Sequence, residues 1–275
     1  MIVYMLIDTH AHINFSSFEK DRDEVIKKSL DNNVWMINVG TNLKTSQEVI
    51  DIAQQHHIGI YAAIGLHPIN LDTSLVKIKF DVNEGKNLEK EFDLKKYKEL
   101  AQSEKVVAIG EIGLDYYWKP KTAGKKELFK QKQRDLLLQE IKLAKELDLP
   151  IIFHCRMAHE ELLEILRGQK GINGVVHCFT GTWNQAQQYM EVGLYLGFNG
   201  IIFKLDFDEI IKKIPLESIL IETDCPYLPP LEFKGQRNEP LYVKHVAQRI
   251  AELKGIDLET ISEITTQNAK TLFNL

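Results

Sequence analysis

Eight short apolar runs, rich in β-branched and aromatic residues and separated by longer charged stretches, constrain this chain more than any other feature. They are "YMLIDTHAH" (4–12), "VWMINVG" (34–40), "IYAAIGLHP" (60–68), "VVAIGEIGLD" (106–115), "PIIFHC" (150–155), "GVVHCFTG" (174–181), "LYLGFNG" (194–200) and "SILIETDCP" (218–226). Near-continuous apolar runs, rather than strict alternation, mark strands covered on both faces, as in a parallel sheet with helices packed on it. The intervening segments supply those helices. Leu137, Ile141, Ala144 and Leu147 mark one face of 127–148, and Val246, Ile250 and Leu253 one face of 238–253. Residues 258–273 read as a closing helix with Leu258, Ile261, Ile264 and Leu272 as its stripe. Segment 72–103 is longer and more charged than a crossover needs, and reads as a surface excursion before its helix.

Eight such units fit either an open doubly wound sheet or a closed barrel, and the placement of polar residues decides between them. In a barrel the functional groups sit at the C-terminal ends of the strands, facing the axis. Here the runs carry His10 and His12 after the first, His67 after the third, Glu111 within the fourth, His154 ending the fifth, His177 in the sixth and Asp224 in the eighth. An apolar run gains nothing structurally by finishing in an ionisable residue, and the recurrence points to one shared site. The expectation is a TIM-type (β/α)8 barrel, regular or distorted, occupying residues 1–275 as one domain and closed by a C-terminal helix.

On an extended strand His10 and His12 would face one point, about 6.5 to 7 Å apart along the backbone. With His154, His177, Glu111 and Asp224 they make a nitrogen and oxygen donor set suited to Zn²⁺, Mn²⁺ or a similar divalent ion, and large enough for two. Glu111 has two oxygens with which to bridge two cations, and Asp224 is the candidate proton acceptor. Such a site acidifies a water and clamps the oxygens of an in-line displacement, as hydrolysis of an ester or phosphodiester requires. Each of Cys155, Cys178 and Cys225 directly follows one of these residues, so strand alternation turns the thiols toward the helices as packing groups. Arg156, Lys204 and Arg237, the last beside Asn238, lie where a substrate phosphate could be held, while His56, His57, His159 and His245 read as structural or solvent-facing.

Bulk charge gives polyanions no general attraction: 34 basic against 39 acidic residues leaves −5. The first apolar stretch meets Asp8 almost at once and has no basic segment before it, so it reads as neither a signal peptide nor a membrane span. Three cysteines, an odd number, fit a reducing, cytoplasmic setting.

Taken together, "IDTHAHINF", "AIGLHP", "AIGEIGLDYY", "IFHCR", "VHCFTG", "GFNGIIFK", "IETDCPYLPP", "RNEP" and "TTQNAKTLF" resemble the TatD family of metal-dependent deoxyribonucleases, within the amidohydrolase-like barrels, over essentially the whole chain. The resemblance implies that His10, His12, Glu111, His154, His177 and Asp224 are metal ligands, Glu111 bridging and Asp224 also acid and base. It implies two divalent ions (Zn²⁺, Mg²⁺ or Mn²⁺) and a DNA substrate, cut from 3′ to 5′ on single strands. Ile69 stands where the family often has a second histidine, leaving His67 alone there, and Met157 stands where it often has Asp; substrate preference is what these changes touch. His67, Arg156, Lys204 and Arg237 remain candidates for substrate binding, with no obligate protein partner and no membrane expected. An amide, ester or lactone hydrolase on the same site is the alternative, because one fold hosts many reactions. A non-enzymatic barrel would have lost ligands, and all six are present.

Overall fold

The eight runs are eight parallel strands. In the computed structural model, which describes residues 4–78 and 87–275, they are β1 (Leu6–Ala11), β2 (Val34–Val39), β3 (Ile60–Ile64), β4 (Val106–Asp115), β5 (Ile151–Arg156), β6 (Gly174–Val176), β7 (Leu194–Phe198) and β8 (Ile219–Ile221). Around them run α1 (Arg22–Asp31), α2 (Leu43–Gln54), α3 (Leu94–Leu100), α4 (Ala123–Leu147), α5 (His159–Arg167), α6 (Trp183–Glu191), α7 (Asp208–Lys213), α8 (Val243–Lys254) and α9 (Leu258–Phe273). Each strand pairs with its successor, and a single parallel bridge between Ala11 and Cys225 brings the end of the sheet back to its start. The architecture is a nearly closed TIM-type barrel.

The seam between β8 and β1 is stitched rather than laddered. Asp224 N donates to His10 O at 2.8 Å, and His12 N to Cys225 O at 2.9 Å. Buried Asp8 accepts from Thr223 N at 2.8 Å and from the Thr223 hydroxyl at 2.5 Å. The residues that join the two edges are therefore the neighbours of His10, His12 and Asp224.

Two buried layers divide the strand residues. Ile7, Ile37, Val39, Ala63, Val107, Ile152, Val175 and Leu220 fill the inside of the ring together with Ala269, Leu272 and Phe273 of α9, so the closing helix plugs one end. Leu6, Met36, Ala62, Ile109, Phe153, Leu196 and Ile221 face outward, against the helices. Burying each large aliphatic side chain contributes about 1.5–3 kcal/mol, and with that end filled the opposite end is free to carry chemistry.

Two register shifts re-aim the side chains there. Between Asp8 and Ala11, β1 sets three steps against two in β2, and between Gly110 and Ile112, β4 sets two steps against one in β5. A bulge reverses the inward and outward parity of the residues beyond it. Leu6 and Ala11 both lie in the outer layer, which turns His10 and His12 inward; Ile109 and Ile112 both lie in the outer layer, which leaves Glu111 on the inner side.

The helices match expectation with shifted ends. α4 starts at Ala123 rather than near 127 because Thr122 caps it, its hydroxyl accepting from Lys125 N, and the lysines of that first turn hide the apolar stripe. α8 starts at Val243 rather than 238, after a 3-10 turn at Pro240–Tyr242, because Asn238 is spent on the carbonyls of Thr223, Tyr227 and Leu228. The end of the expected 72–103 excursion is α3, capped by Asp93, while 79–86 fall outside the described residues. No described helix is long and apolar enough to cross a membrane.

Candidate metal centre

Glu111 lies at the middle of a buried cluster. Its Oε2 is 3.4 Å from His10 Nε2 and 3.9 Å from His12 Nε2. Its Oε1 is 2.6 Å from His154 Nδ1, 2.8 Å from His177 Nε2 and 3.3 Å from His67 Nε2. Asp224 closes the first group, its Oδ1 lying 3.6 Å from His12 Nε2 and 3.9 Å from His10 Nε2. The single carboxylate thus addresses two sets of nitrogens, one with each oxygen.

Hydrogen bonds outside the cluster dictate what faces into it. A backbone carbonyl can only accept, so His12 Nδ1 donates to Val39 O at 2.8 Å and Nε2 turns a lone pair inward. His154 Nε2 donates to Asp115 Oδ2 at 3.3 Å, which leaves Nδ1 as the inward lone pair against Glu111. Glu222 Oε1 lies 3.4 Å from His177 Nδ1, facing that ring with its charge rather than with a hydrogen bond. Lone pairs therefore meet a carboxylate at contact distance, and His10 Nε2 meets His12 Nε2 at 3.1 Å. Acceptors that face one another in a buried site need positive charge between them, which protons on the rings or divalent metal ions can supply. The donor set fits divalent metal, and His10, His12 and Glu111, and likewise His67, Glu111 and His154, lie close enough to share an ion.

The charges lean the same way. Burial alone would raise the Glu111 carboxyl, but His177, His67 and His154 outweigh it and hold the group well below the usual range. Burial would likewise raise Asp224, but the nearby His12 ring and the charges of His10 and His177 keep it lowered. Burial lowers His10, with His177 adding to it, and also lowers His67. Against burial, Glu111 and Asp115 lift His154 to about 9.

The cluster floors a cavity of about 490 Å³ whose wall includes Thr41, Ile69, Asp115, Trp118, Arg156, Ile201, Tyr227 and Leu228. Asp224 has 16% of its side chain exposed and Glu111 5%, so Asp224 is the carboxylate within reach of water.

All six residues read as ligands from the sequence come together here, and His67, read as substrate-binding, joins them as a buried neighbour of Glu111. Arg156 lines the cavity wall. Lys204 is exposed and outside that lining. Arg237 is committed elsewhere: its guanidinium holds Asp21 with two bonds of 2.7 and 2.6 Å, takes Ser17 O at 2.6 Å and lies over Phe18, tying the loop after β8 to the start of α1. The thiol reading also needs correction. Cys225 is a buried packing group and Cys155 is buried at the cavity's edge, but β6 ends at Val176, so alternation does not reach Cys178, which is partly exposed on the cavity wall.

Two acidic residues escape the sequence reading. Asp115, the last residue of run four, orients His154; Glu222, inside run eight and fully buried, faces His177 and accepts from Cys178 N at 2.8 Å. The signal that could have found them is that a metal-ligating histidine needs an acceptor on its other nitrogen, and buried strands have few to offer.

Residues 7–274 match the family profile described as TatD related DNase. The chain is 42% identical to a protein of Bacillus subtilis named as an uncharacterized metal-dependent hydrolase, YabD, over 98% of this chain and 100% of that one. It is 33% identical to the 3′-5′ ssDNA/RNA exonuclease TatD of Shigella flexneri, over 98% of this chain and 99% of the other. Among solved structures, the TatD homologue YjjV of Escherichia coli superposes with a TM-score of 0.83 at 31% identity, covering 100% of both chains.

Proposed function

Because the chain belongs to the TatD-related DNase family of metal-dependent hydrolases, we propose that it hydrolyses phosphodiester bonds of DNA from the 3′ end of single strands, with two divalent ions (Zn²⁺, Mg²⁺ or Mn²⁺) as cofactors. The observation that carries this reading is the division of Glu111, Oε2 toward His10 and His12 and Oε1 toward His154 and His177. Glu111 would lie between metal ions held there, with Asp224 completing the first set and His67 beside the second. The activity named for the Shigella relative supports the substrate class.

Bound there, divalent cations supply Lewis acidity: they lower the pKa of a water and offset charge gathering on a phosphate. Asp224, ionised and open to the cavity, accepts the proton of the attacking water and is placed to return one to the departing alkoxide. Glu111, deeper and surrounded by imidazoles, holds charge rather than moving protons. Arg156, which has no carboxylate partner among the described residues, is positioned to meet the phosphate from the wall. A flexible strand suits the modest bulk charge, since a duplex-tracking enzyme would rely on a broad basic face. Three free thiols support a cytoplasmic setting.

Apolar wall residues Ile69, Ile201 and Leu228 favour the second reading, an amide, ester or lactone hydrolase. One experiment separates the two. Metal-stripped protein is given 5′-labelled and 3′-labelled single-stranded DNA with Mg²⁺, Mn²⁺ or Zn²⁺ restored, beside an Asp224→Asn control. The expected result is metal-dependent shortening from the 3′ end that the substitution abolishes. Protein that binds two ions and leaves DNA intact with every metal would instead be a carbonyl hydrolase.

A further inference from the structure

We infer that Tyr117, Trp118 and Arg156 form a nucleobase-stacking subsite at the mouth of the barrel, an inference that rests on the nuclease reading above. The three residues leave the ends of neighbouring strands. The register of β4 on β5 sets Asp115 opposite Arg156, and Tyr116 N donates to Arg156 O at 2.9 Å. Asp115 then does two things at once: one oxygen accepts from His154 Nε2, and the other accepts from Tyr117 N at 2.9 Å. The ledge is thereby pinned to the same carboxylate that orients a cluster histidine.

Its composition matches what a single strand offers. The Arg156 guanidinium lies 3.7 Å from the Tyr117 ring centroid, and Trp118 meets Tyr117 edge-on, with centroids 5.4 Å apart and planes at 87°. Trp118 and Arg156 both line the cavity that contains His154 and Asp224. Tyr117 leaves 50% of its surface exposed, a large aromatic area given to solvent directly beside a catalytic cavity. A nucleobase has a π-face whatever its identity, so stacking on aromatic and guanidinium planes grips a strand without reading its sequence. The uncompensated charge of Arg156 would meet the backbone phosphate while the rings take the base. A carbonyl substrate without a flat heterocycle would gain little from these residues.

The test compares unmodified protein with Trp118→Ala, Tyr117→Ala and Trp118→Phe, each first shown to bind metal with unchanged stoichiometry. Substrates are 5′-labelled single strands ending in ordinary nucleotides, and the same strands ending in tetrahydrofuran abasic nucleotides. Both alanine variants are expected to lose roughly five- to 150-fold in kcat/KM on ordinary ends, mainly through KM. On abasic ends they should equal unmodified protein, and Trp118→Phe should recover most of the loss. Equal losses on both substrates, or unmodified protein that cuts ordinary and abasic ends alike, would overturn the subsite and leave the nuclease standing. Unmodified protein that cuts neither would overturn both.

Discussion

Replacing Asp115 with Asn changes one buried oxygen into an N–H and so tests whether outward hydrogen bonds set the metal affinity. In the native protein Asp115 Oδ2 accepts from His154 Nε2 at 3.3 Å while Oδ1 holds Tyr117 N at 2.9 Å. Asparagine keeps the bond to Tyr117 with its carbonyl, which leaves its NH₂ against His154 Nε2. Two donors cannot face each other, so His154 shifts its proton to Nδ1, the nitrogen 2.6 Å from Glu111 Oε1. That proton occupies the lone pair a metal would use. The bond being lost is longer than the usual 2.7–2.9 Å of a charge-assisted contact, which puts its worth at about 1.5–2 kcal/mol and the loss of metal affinity at roughly ten- to thirtyfold. Competition for Zn²⁺ against a fluorescent chelator measures that loss directly. Activity followed against metal concentration should shift by the same factor, with kcat recovered at saturation. Unchanged affinity, or a loss of kcat that no metal concentration restores, would refute the tautomer argument.

Three other parts of the molecule make equally definite demands. A methyl group on Gly113, whose φ is +151°, would sit 2.0 Å from His154 O, so Gly113→Ala should cost about 3 kcal/mol in urea unfolding, and an unmoved midpoint would show that β4 and β5 can part. Arg237→Met should cost about 1 kcal/mol of stability with kcat intact, because its bonds run to Asp21 and Ser17; an active-site defect in a fully stable variant would return Arg237 to the phosphate. Burial holds His159 down at about 4. The unfolded chain therefore takes a proton between about 6.5 and about 4 that the folded protein refuses, and stability present above that window falls by up to about 3 kcal/mol on acidification. Urea melts at pH 7 and pH 4.5 should show His159→Phe losing less than unmodified protein, whereas parallel losses would sink the assignment.

How much of this was legible depended on whether local pattern or register carried the information. β1 through β5 and β7 stood out because strands covered on both faces are apolar throughout, and α9 matched at both ends because Asp257 caps it and its stripe is unbroken. Runs six and eight extend past their strands: the apolar letters beyond Val176 and Ile221 belong to loops, where alternation has no force, and so it misplaces Cys178. The bulges in β1 and β4 leave no mark in composition, yet they decide that His10, His12 and Glu111 face inward. The ligands were readable because an ionisable residue ending an apolar run is conspicuous. Asp115 and Glu222 were not: each shares its run with a residue already read as a ligand, Glu111 or Asp224, and so reads as a second polar letter there.

The stitched seam has a consequence for how the protein comes into being. His10 and His12 leave the ribosome well before the groups that pair with their strand, Thr223, Asp224 and Cys225, which lie more than 200 positions later. Through most of translation the two histidines belong to an uncovered sheet edge, and that edge is covered only when the last strand arrives. Joining partners so distant in sequence is among the slowest steps available to a folding chain. A chain released before residue 222 would carry every histidine of the cluster and still lack Glu222 and Asp224, so the proposed site could not assemble until the residues after β8 had been made.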